Sequence, residues 1–303
     1  MEENKKVIAV VVTYNRKELL KQAIEALLNQ EYDNCDILIV DNASTDGTEE
    51  YIANLLNNSK IIYENTGANL GGAGGFNYGI KKAIELGYEY IWIMDDDTIP
   101  YKDSLKELIN SDEALQGDYG YLSSIALWKD GTPCKMNRQK ICKDWYTNAG
   151  YLKYSLVKTD YSTFVSFFIK ASVVTEVGLP IKEFFIWGDD VEYSNRISKK
   201  YNCYIVGNSQ VLHSTNNNEG SNIAKDDEKR ISRYKFAYRN EIYIAKKNGL
   251  KGILRQMAKI ALHICRVLIH SKGHRLKKIG IILGSSLKGI FFNPKVEYIK
   301  GQD

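Results

Sequence analysis

The 303-residue chain has few of the residues that staple small or secreted folds. It holds five cysteines, Cys35, Cys134, Cys142, Cys203 and Cys265, an odd number with no Cys-x-x-Cys pair. That excludes a disulfide framework and a structural zinc site, and it fits a reduced, cytoplasmic compartment. Nothing long and apolar is present. The start, Met1 to Lys6, leads into only six apolar residues, Val7 to Val12, so no signal peptide is expected. Ile279 to Leu287 is uncharged over nine residues, too short for a hydrocarbon core that needs about 20. No Gly-Lys-Ser/Thr follows any glycine-rich stretch, which excludes a P-loop, and no Rossmann glycine spacing occurs. Acids are absent from Ile242 to Val296, where twelve Lys/Arg stand against no Asp/Glu. Removing that stretch from the totals of 41 basic and 37 acidic residues leaves 29 against 37, so the net +4 hides an acidic body and a basic tail.

What is present fits one large α/β unit with an appendage. Val7–Val12 and Ile37–Val40 are continuous apolar runs, typical of strands covered on both faces of a parallel sheet. Leu19, Leu20, Ala23, Ile24, Leu27 and Leu28 recur at helical spacing between them. Ile61–Tyr63 and Ile91–Met94 give two more strands, and Phe76 to Leu86 a helix closed by Gly87. The order β-α-β-α-β-α-β predicts a right-handed, mostly parallel sheet with helices on both faces. Further on, Gly120–Leu127, Phe164–Ile169, Cys203–Val206 and Gln210–Leu212 are expected strands. Ala171–Val177, the segment starting at Asp189, and Tyr234–Lys247 are expected helices.

Chemistry collects where strands end. Tyr90-Ile-Trp-Ile-Met94 runs into Asp95-Asp96-Asp97, with Pro100 stopping the element. In extended backbone Asp95 and Asp97 face one side and Asp96 the other. Two acids on one side, with no base beside them, repel unless a cation lies between them. Oxygen ligands of this kind suit Mg²⁺ or Mn²⁺ against a diphosphate; a polar turn leading into an acidic helix start at Asp103 is the alternative. Asp41 ends a strand, where open α/β sheets bind ligands. Asp46 with Glu49, and Asp189 with Glu192, have capping-box spacing. This leaves Asp190 in the first turn of its helix as a candidate general base, unless both acids only serve the helix start. His213 follows a strand, as a metal ligand or a satisfied core residue. The glycine-rich Asn65–Gly75 is either a phosphate-approaching loop or a tight turn. From Ile253, apolar Met257, Ile260, Ala261, Ile264 and Leu268 oppose Lys251, Arg255, Lys259, Arg266 and His270, an amphipathic cationic helix. Such a helix fits an anionic membrane surface, with nucleic-acid binding and a plain helical lid as competitors.

Taken in order, Val12-Thr-Tyr-Asn-Arg16, Val40-Asp-Asn-Ala-Ser-Thr-Asp-Gly-Thr48, Asp95-Asp-Asp97 and Trp187-Gly-Asp-Asp-Val-Glu192 resemble the motifs of family 2 glycosyltransferases of the GT-A fold. Asn69-Leu-Gly-Gly-Ala-Gly-Gly-Phe76 is similar to the corresponding loop of bacterial galactofuranosyltransferases, and Tyr238-Arg-Asn240 resembles rhamnosyltransferase-like members. The resemblance implies a catalytic domain over residues 1–215 and a mobile loop with a basic helical extension over 216–303. It implies donor contacts from Thr13, Asn15, Asp41, Asn69, Gly71, Asp95 and Asp96, with Asp41 and Thr13 at the base. Asp95, Asp97 and His213 would hold Mn²⁺ or Mg²⁺, Asp190 would be the catalytic base, and Trp187 and Asp189 would meet the acceptor. A glycine between Trp187 and Asp189 departs from the galactofuranosyltransferase Trp-Asp-Asp pattern. The implied reaction is inverting transfer of galactofuranose from UDP-galactofuranose to a cell-surface glycan or lipid-linked acceptor at the inner face of the cell membrane. Neither nucleic acid nor a particular oligomeric state is implied. Rhamnose from dTDP-rhamnose is the nearest rival. A nucleotidyltransferase would be expected to show a glycine-rich basic loop where Thr13-Tyr-Asn-Arg16 stands. A sugar- or membrane-binding scaffold would have no need for Asp95, Asp97 and Asp190 together.

Overall fold

A computed structural model describes residues 5–299. Met1–Asn4 and residues 300–303 lie outside it, so the expectation for the chain start and the end of the extension are not addressed. Four parallel strands form one half of the sheet. These are β1 (Val7–Thr13), β2 (Cys35–Asp41), β3 (Ile61–Asn65) and β4 (Tyr90–Asp95), in the order β3-β2-β1-β4. Alternate residues of β1 feed two cores. Val7, Ala9 and Val11 pack with Leu20, Ile24 and Leu27 of α1 (Lys17–Leu28). Ile8, Val10 and Val12 pack with Phe76, Ile80 and Ala83 of α3 (Gly71–Glu85) on the opposite face. That double burial is why β1 carries no alternating polar residue. A second helix, α2 (Thr48–Leu56), lies between β2 and β3 in the chain.

The rest of the sheet is mixed. After β5 (Thr98–Pro100) and α4 (Ser104–Ala114) come β6 (Tyr121–Leu127), β7 (Lys140–Ile141), β8 (Leu156–Tyr161), β9 (Phe167–Lys170), α5 (Ala171–Val177), α6 (Asp189–Ser198) and β10 (Tyr204–His213). β9 runs antiparallel between β4 and β6, and β10 is parallel to β6 and antiparallel to β8 and β5. The two strands expected at 203–206 and 210–212 are one, with an irregularity between Val206 and Gln210.

Three local expectations are corrected. α3 begins at Gly71 rather than Phe76, so the glycines are its first turn and not a loop. Gly75 and Gly79 let the helix lie against Val12 and Val10 of β1, because a Cβ there would come within 2.5 and 2.4 Å of those side chains. Neither capping box forms: the N-cap positions are Gly47 and Gly188, both left-handed. Asp46 instead accepts from the Thr48 hydroxyl and the Lys17 amide, and Glu192 pairs with Arg196.

The C-terminal part forms α7 (Glu228–Ile231), α8 (Tyr234–Lys247), α9 (Gly249–His270) and α10 (Arg275–Phe291). Ile223, Ile231, Tyr234, Tyr238, Val267, Ile281 and Ile282 give it a core of its own. It is also tied down. Tyr243 and Phe292 pack on Phe184, and Glu297 pairs with Lys81 and Lys182.

Candidate active site

Strand pairing sets the acidic cluster. β1, β2 and β4 end level with one another, so Thr13 lies opposite Asp41 and Val12 opposite Asp95 at the carboxyl edge of the sheet. The chain turns at Asp96 and Asp97, and β5 then pairs with β10, with His213 opposite Thr98. This brings together residues 116 apart in sequence: His213 Nε2 lies 3.1 Å from Asp97 Oδ1. Asp95, Asp97 and His213 have ligand atoms that all lie within 4.8 Å of one another. Oxygen ligands with one imidazole suit Mn²⁺ or Mg²⁺. The imidazole is oriented from behind, because Asn137 Oδ1 lies 2.7 Å from Nδ1. An amide oxygen only accepts, so Nδ1 carries a proton and Nε2 faces the cluster.

Sequence reasoning singled out these three residues but missed Arg16 and Asn137 beside them. Arg16, quoted only as part of a motif, is the cation beside the acids. Its Nη1 lies 3.0 Å from Asp96 Oδ1 and 2.8 Å from Asp97 Oδ2. Asp96 also accepts from the Thr13 hydroxyl at 2.8 Å. Burial and the neighbouring Asp97 push Asp95 up to about 7. Burial lifts Asp96 to about 6, against the pull of Arg16. Burial also opposes charge on Asp97 and His213, yet their mutual hydrogen bond holds the Asp97 carboxyl below its usual range and lifts His213 to about 10. Unlike charges have been gathered there to balance one another.

Asp95, Asp97 and His213 line a cavity of about 530 Å³ together with Trp187, Asp189 and Asp190. The acids of α6 therefore face the strand-end cluster. Asp189 is buried; burial and the adjacent Asp190 push it well above the usual carboxylate range. Asp190 is set deep but keeps part of its surface open, and burial lifts it to about 6. Its Oδ1 accepts from the Val191 amide at 2.7 Å. Arg230 and Arg233 line the same cavity, and neither was singled out from sequence.

The segment that delivers these acids is strained and held from two sides. Phe185, Trp187 and Gly188 all have positive φ, +64°, +66° and +88°. On one side Gly71 of α3 meets Phe185, whose carbonyl oxygen would be 2.1 Å from any Cβ at that position. Gly71 is thus a close-approach glycine. On the other side the fully buried Asn240 of α8 donates to the carbonyls of Phe184, Ile186 and Trp187 at 3.0, 3.2 and 2.8 Å. Arg239 adds bonds to Glu183 and Phe184. The Tyr238-Arg-Asn240 signal therefore acts from the extension on the active-site loop. Trp187 lines the cavity, while its ring also meets Tyr234 edge-on at 5.0 Å.

The remaining sequence candidates lie to one side. Asp41 is buried and accepts from the Ser44 amide at 2.8 Å and the Tyr63 hydroxyl at 2.6 Å. It lines a separate cavity of about 520 Å³ with Thr45, Tyr63 and Asn65. Asn15, at φ +55°, ties the loops after β1 and β2 together by accepting from the Thr45 amide. Asn69 accepts from the Gly71 amide, just before α3.

The description "Glycosyl transferase family 2" matches residues 8–171. The chain belongs to that family. The galactofuranosyltransferase GlfT1 of Mycolicibacterium smegmatis is 27% identical over 279 residues, 82% of this chain and 86% of that protein. The abequosyltransferase RfbV of Salmonella typhimurium is 43% identical, but over 99 residues, 31% of this chain and 29% of that one. Among solved structures, GalNAc-T7 with UDP, GalNAc and Mn²⁺ aligns with a TM-score of 0.62 at 14% identity. That alignment covers 79% of this chain and 48% of GalNAc-T7. Residues 1–349 of S. aureus TarS align with a TM-score of 0.53, also at 14% identity, over 94% of this chain and 72% of that one. The fold is GT-A, and the protein is a family 2 hexosyltransferase. Asp189, Asp190 and His213 lie beyond the matched residues 8–171, so their place in the site rests on the geometry above.

Proposed function

We propose that this glycosyltransferase moves galactofuranose from UDP-galactofuranose to a hydroxyl of a cell-surface glycan or lipid-linked acceptor, with inversion. The observation that carries this reading is one cavity holding both the Asp95/Asp97/His213 cluster and Asp190. The choice of sugar rests on the relationship to GlfT1 along most of both chains. The likeness of Tyr238-Arg-Asn240 to rhamnosyltransferase-like members keeps rhamnose from dTDP-rhamnose as the second reading. The RfbV match over a third of the chain means that relatives are not confined to galactofuranose.

In this reading residues 1–215 bind and react, while 216–303 close the site and carry it to the membrane. Asp41 and Thr13, with Asn15, Asn69 and Gly71, shape the nucleoside end, and Asp96 faces the donor ribose or sugar. Asp95, Asp97 and His213 would hold Mn²⁺ or Mg²⁺, which would supply positive charge to offset the negative charge gathering on the departing diphosphate. Asp190 accepts the proton of the acceptor hydroxyl as that oxygen bonds to the anomeric carbon and the bond from carbon to diphosphate breaks. A carboxyl lifted to about 6 is mostly ionised at neutral pH yet basic enough to take that proton. Trp187 and Asp189 meet the acceptor ring, and the segment after His213 excludes water that would hydrolyse the donor.

Membrane contact has separate support. Among the described residues no helix is long and apolar enough to cross a bilayer. Leu254, Met257, Ile269, Leu276, Leu287 and Phe291 are nonetheless between 58 and 87% exposed on α9 and α10, within the acid-free stretch. A cationic surface with open apolar side chains fits peripheral attachment to anionic lipid on the cytoplasmic side.

The anomeric configuration of the product, read by NMR after transfer from UDP-galactofuranose, tests the reaction. A β-linked product from the α-linked donor supports one displacement assisted by Asp190. A retained α linkage contradicts it.

A further inference from the structure

A second charged cavity lies away from the acids, at the turn between α9 and α10. It has a volume of about 560 Å³ and is lined by Lys225, Asp226, His270, Lys272, His274 and Lys278, among others. Lys278 is only 3% exposed, and its Nζ donates to Ala224 O at 3.0 Å and Ser271 Oγ at 3.1 Å. An ammonium has three hydrogens, so two acceptors leave one unassigned. Among the described residues no carboxylate forms an ion pair with it. Asp226, the one acid in the lining, instead accepts from the Tyr234 hydroxyl at 2.6 Å and faces Arg230 at 3.7 Å. Burying a cation with no directly paired carboxylate is costly, and an arriving anion would offset that cost. Burial lowers the Lys278 pKa, against the pull of the nearby Asp226 carboxylate.

The position of the cavity says what anion would come. Ile269 and Leu276, which flank the turn, are 70 and 87% exposed. Ile269 adjoins the lining residue His270, so the cavity neighbours side chains that contact lipid in the reading above. It is also close to the reaction. Gly220 and Ser221 line the catalytic cavity, and Ala224 lines this one. Three residues of chain span at most about 11 Å. Ser221 and Ala224 are therefore no more than about 11 Å apart, so the two cavities are neighbours along segment 220–224.

We propose that the α9–α10 turn seats the diphosphate of a lipid-linked acceptor, anchoring it at the membrane surface while its sugar reaches the catalytic cavity. Lys278 and Lys272 supply the fixed charge, and His270 and His274 supply further donors. This rests on the membrane reading, and the experiment separates the two. Full-length protein is sedimented with phosphatidylcholine vesicles carrying either phosphatidylglycerol or a polyprenyl diphosphate, matched in surface charge. The wild type binds the diphosphate vesicles roughly tenfold more tightly, the weight of one strong charged contact. Lys272→Gln and Lys278→Gln lose that preference but keep phosphatidylglycerol binding. Because Lys278 is buried and its variant could fail to fold, the exposed pair Lys272→Gln with His274→Gln carries the same test. Equal wild-type binding to both vesicles, or a preference kept by the exposed pair, overturns the proposal and leaves membrane contact standing. If the wild type ignores both vesicles, the membrane reading falls and a metal-free titration with inorganic pyrophosphate decides the cavity. Weakening of that binding by roughly tenfold in the exposed pair supports the seat, and no change removes it.

Discussion

Replacing Asp190 by Asn should make the protein more stable and inactive at once. The carboxyl is lifted from 3.8 to about 6 because burial penalises its charge. That difference of about two pH units, at about 1.4 kcal/mol each, is at most about 3 kcal/mol. The open face of the side chain reduces this, and about 1–2 kcal/mol is a fair expectation. The sign follows from proton binding. Between pH 4 and 6 the folded protein holds this proton more tightly than the unfolded chain, so stability falls as pH rises through that window. The penalty is complete above about 6 and absent below about 4. Asn keeps an oxygen for the Val191 amide, so the local bond survives. Denaturant unfolding of both proteins at pH 7.5 and pH 4.5 checks this. Asp190→Asn should be more stable at pH 7.5, with the gain shrinking toward pH 4.5, while transfer falls by roughly a hundredfold or more. A variant that is no more stable at pH 7.5, or equally stabilised at both values, would refute the electrostatic reasoning. For the wild type, kcat/KM should rise with pH through about 6 as Asp190 of the free enzyme loses its proton.

Other residues give independent checks. Arg16→Gln removes the cation that bridges Asp96 and Asp97, so Mn²⁺ without nucleotide should bind roughly tenfold more tightly by electron paramagnetic resonance. Unchanged or weaker binding would mean that Arg16 does not compete for those carboxylates. Asn137→Ala frees the back of the His213 ring and should weaken Mn²⁺ binding by roughly tenfold or more in the same measurement. Asn240→Asp keeps the side-chain size but removes the amide donors to Phe184, Ile186 and Trp187. It should cost about 2–4 kcal/mol in unfolding and raise the acceptor KM more than the donor KM.

The sequence announced its strands and their chemistry unevenly. Val7–Val12 and Ile91–Met94 were legible because strands buried on both faces show as unbroken apolar runs. Asp95 and Asp97 stood out as two acids on one side of a strand end with no base beside them. Asp190 emerged only once Asp189 was matched with Glu192, with a helix-start role for both acids still open. What could not be read was pairing across distance. Arg16 and Asp96 meet only because β1 and β4 are neighbours, and Asn137 reaches His213 from an irregular stretch with no periodic signal. The first turn of α3 was hidden by propensity. Its five glycines argue against a helix, and for three of them the reason is tertiary: Gly75 and Gly79 give room to β1, and Gly71 to the Phe185 carbonyl. The capping boxes failed for a related reason, since left-handed Gly47 and Gly188 take the N-cap places and free the acids for other contacts.

The most direct test of one cavity serving donor and base is release of nucleoside diphosphate from a panel of nucleotide sugars. Purified protein is assayed with and without Mn²⁺, beside Asp97→Ala. Slow, Mn²⁺-dependent release of UDP from UDP-galactofuranose alone, lost in Asp97→Ala, is the expected result. Release of dTDP from dTDP-rhamnose would keep the mechanism and change the sugar. No release together with no metal-dependent donor binding would contradict the account.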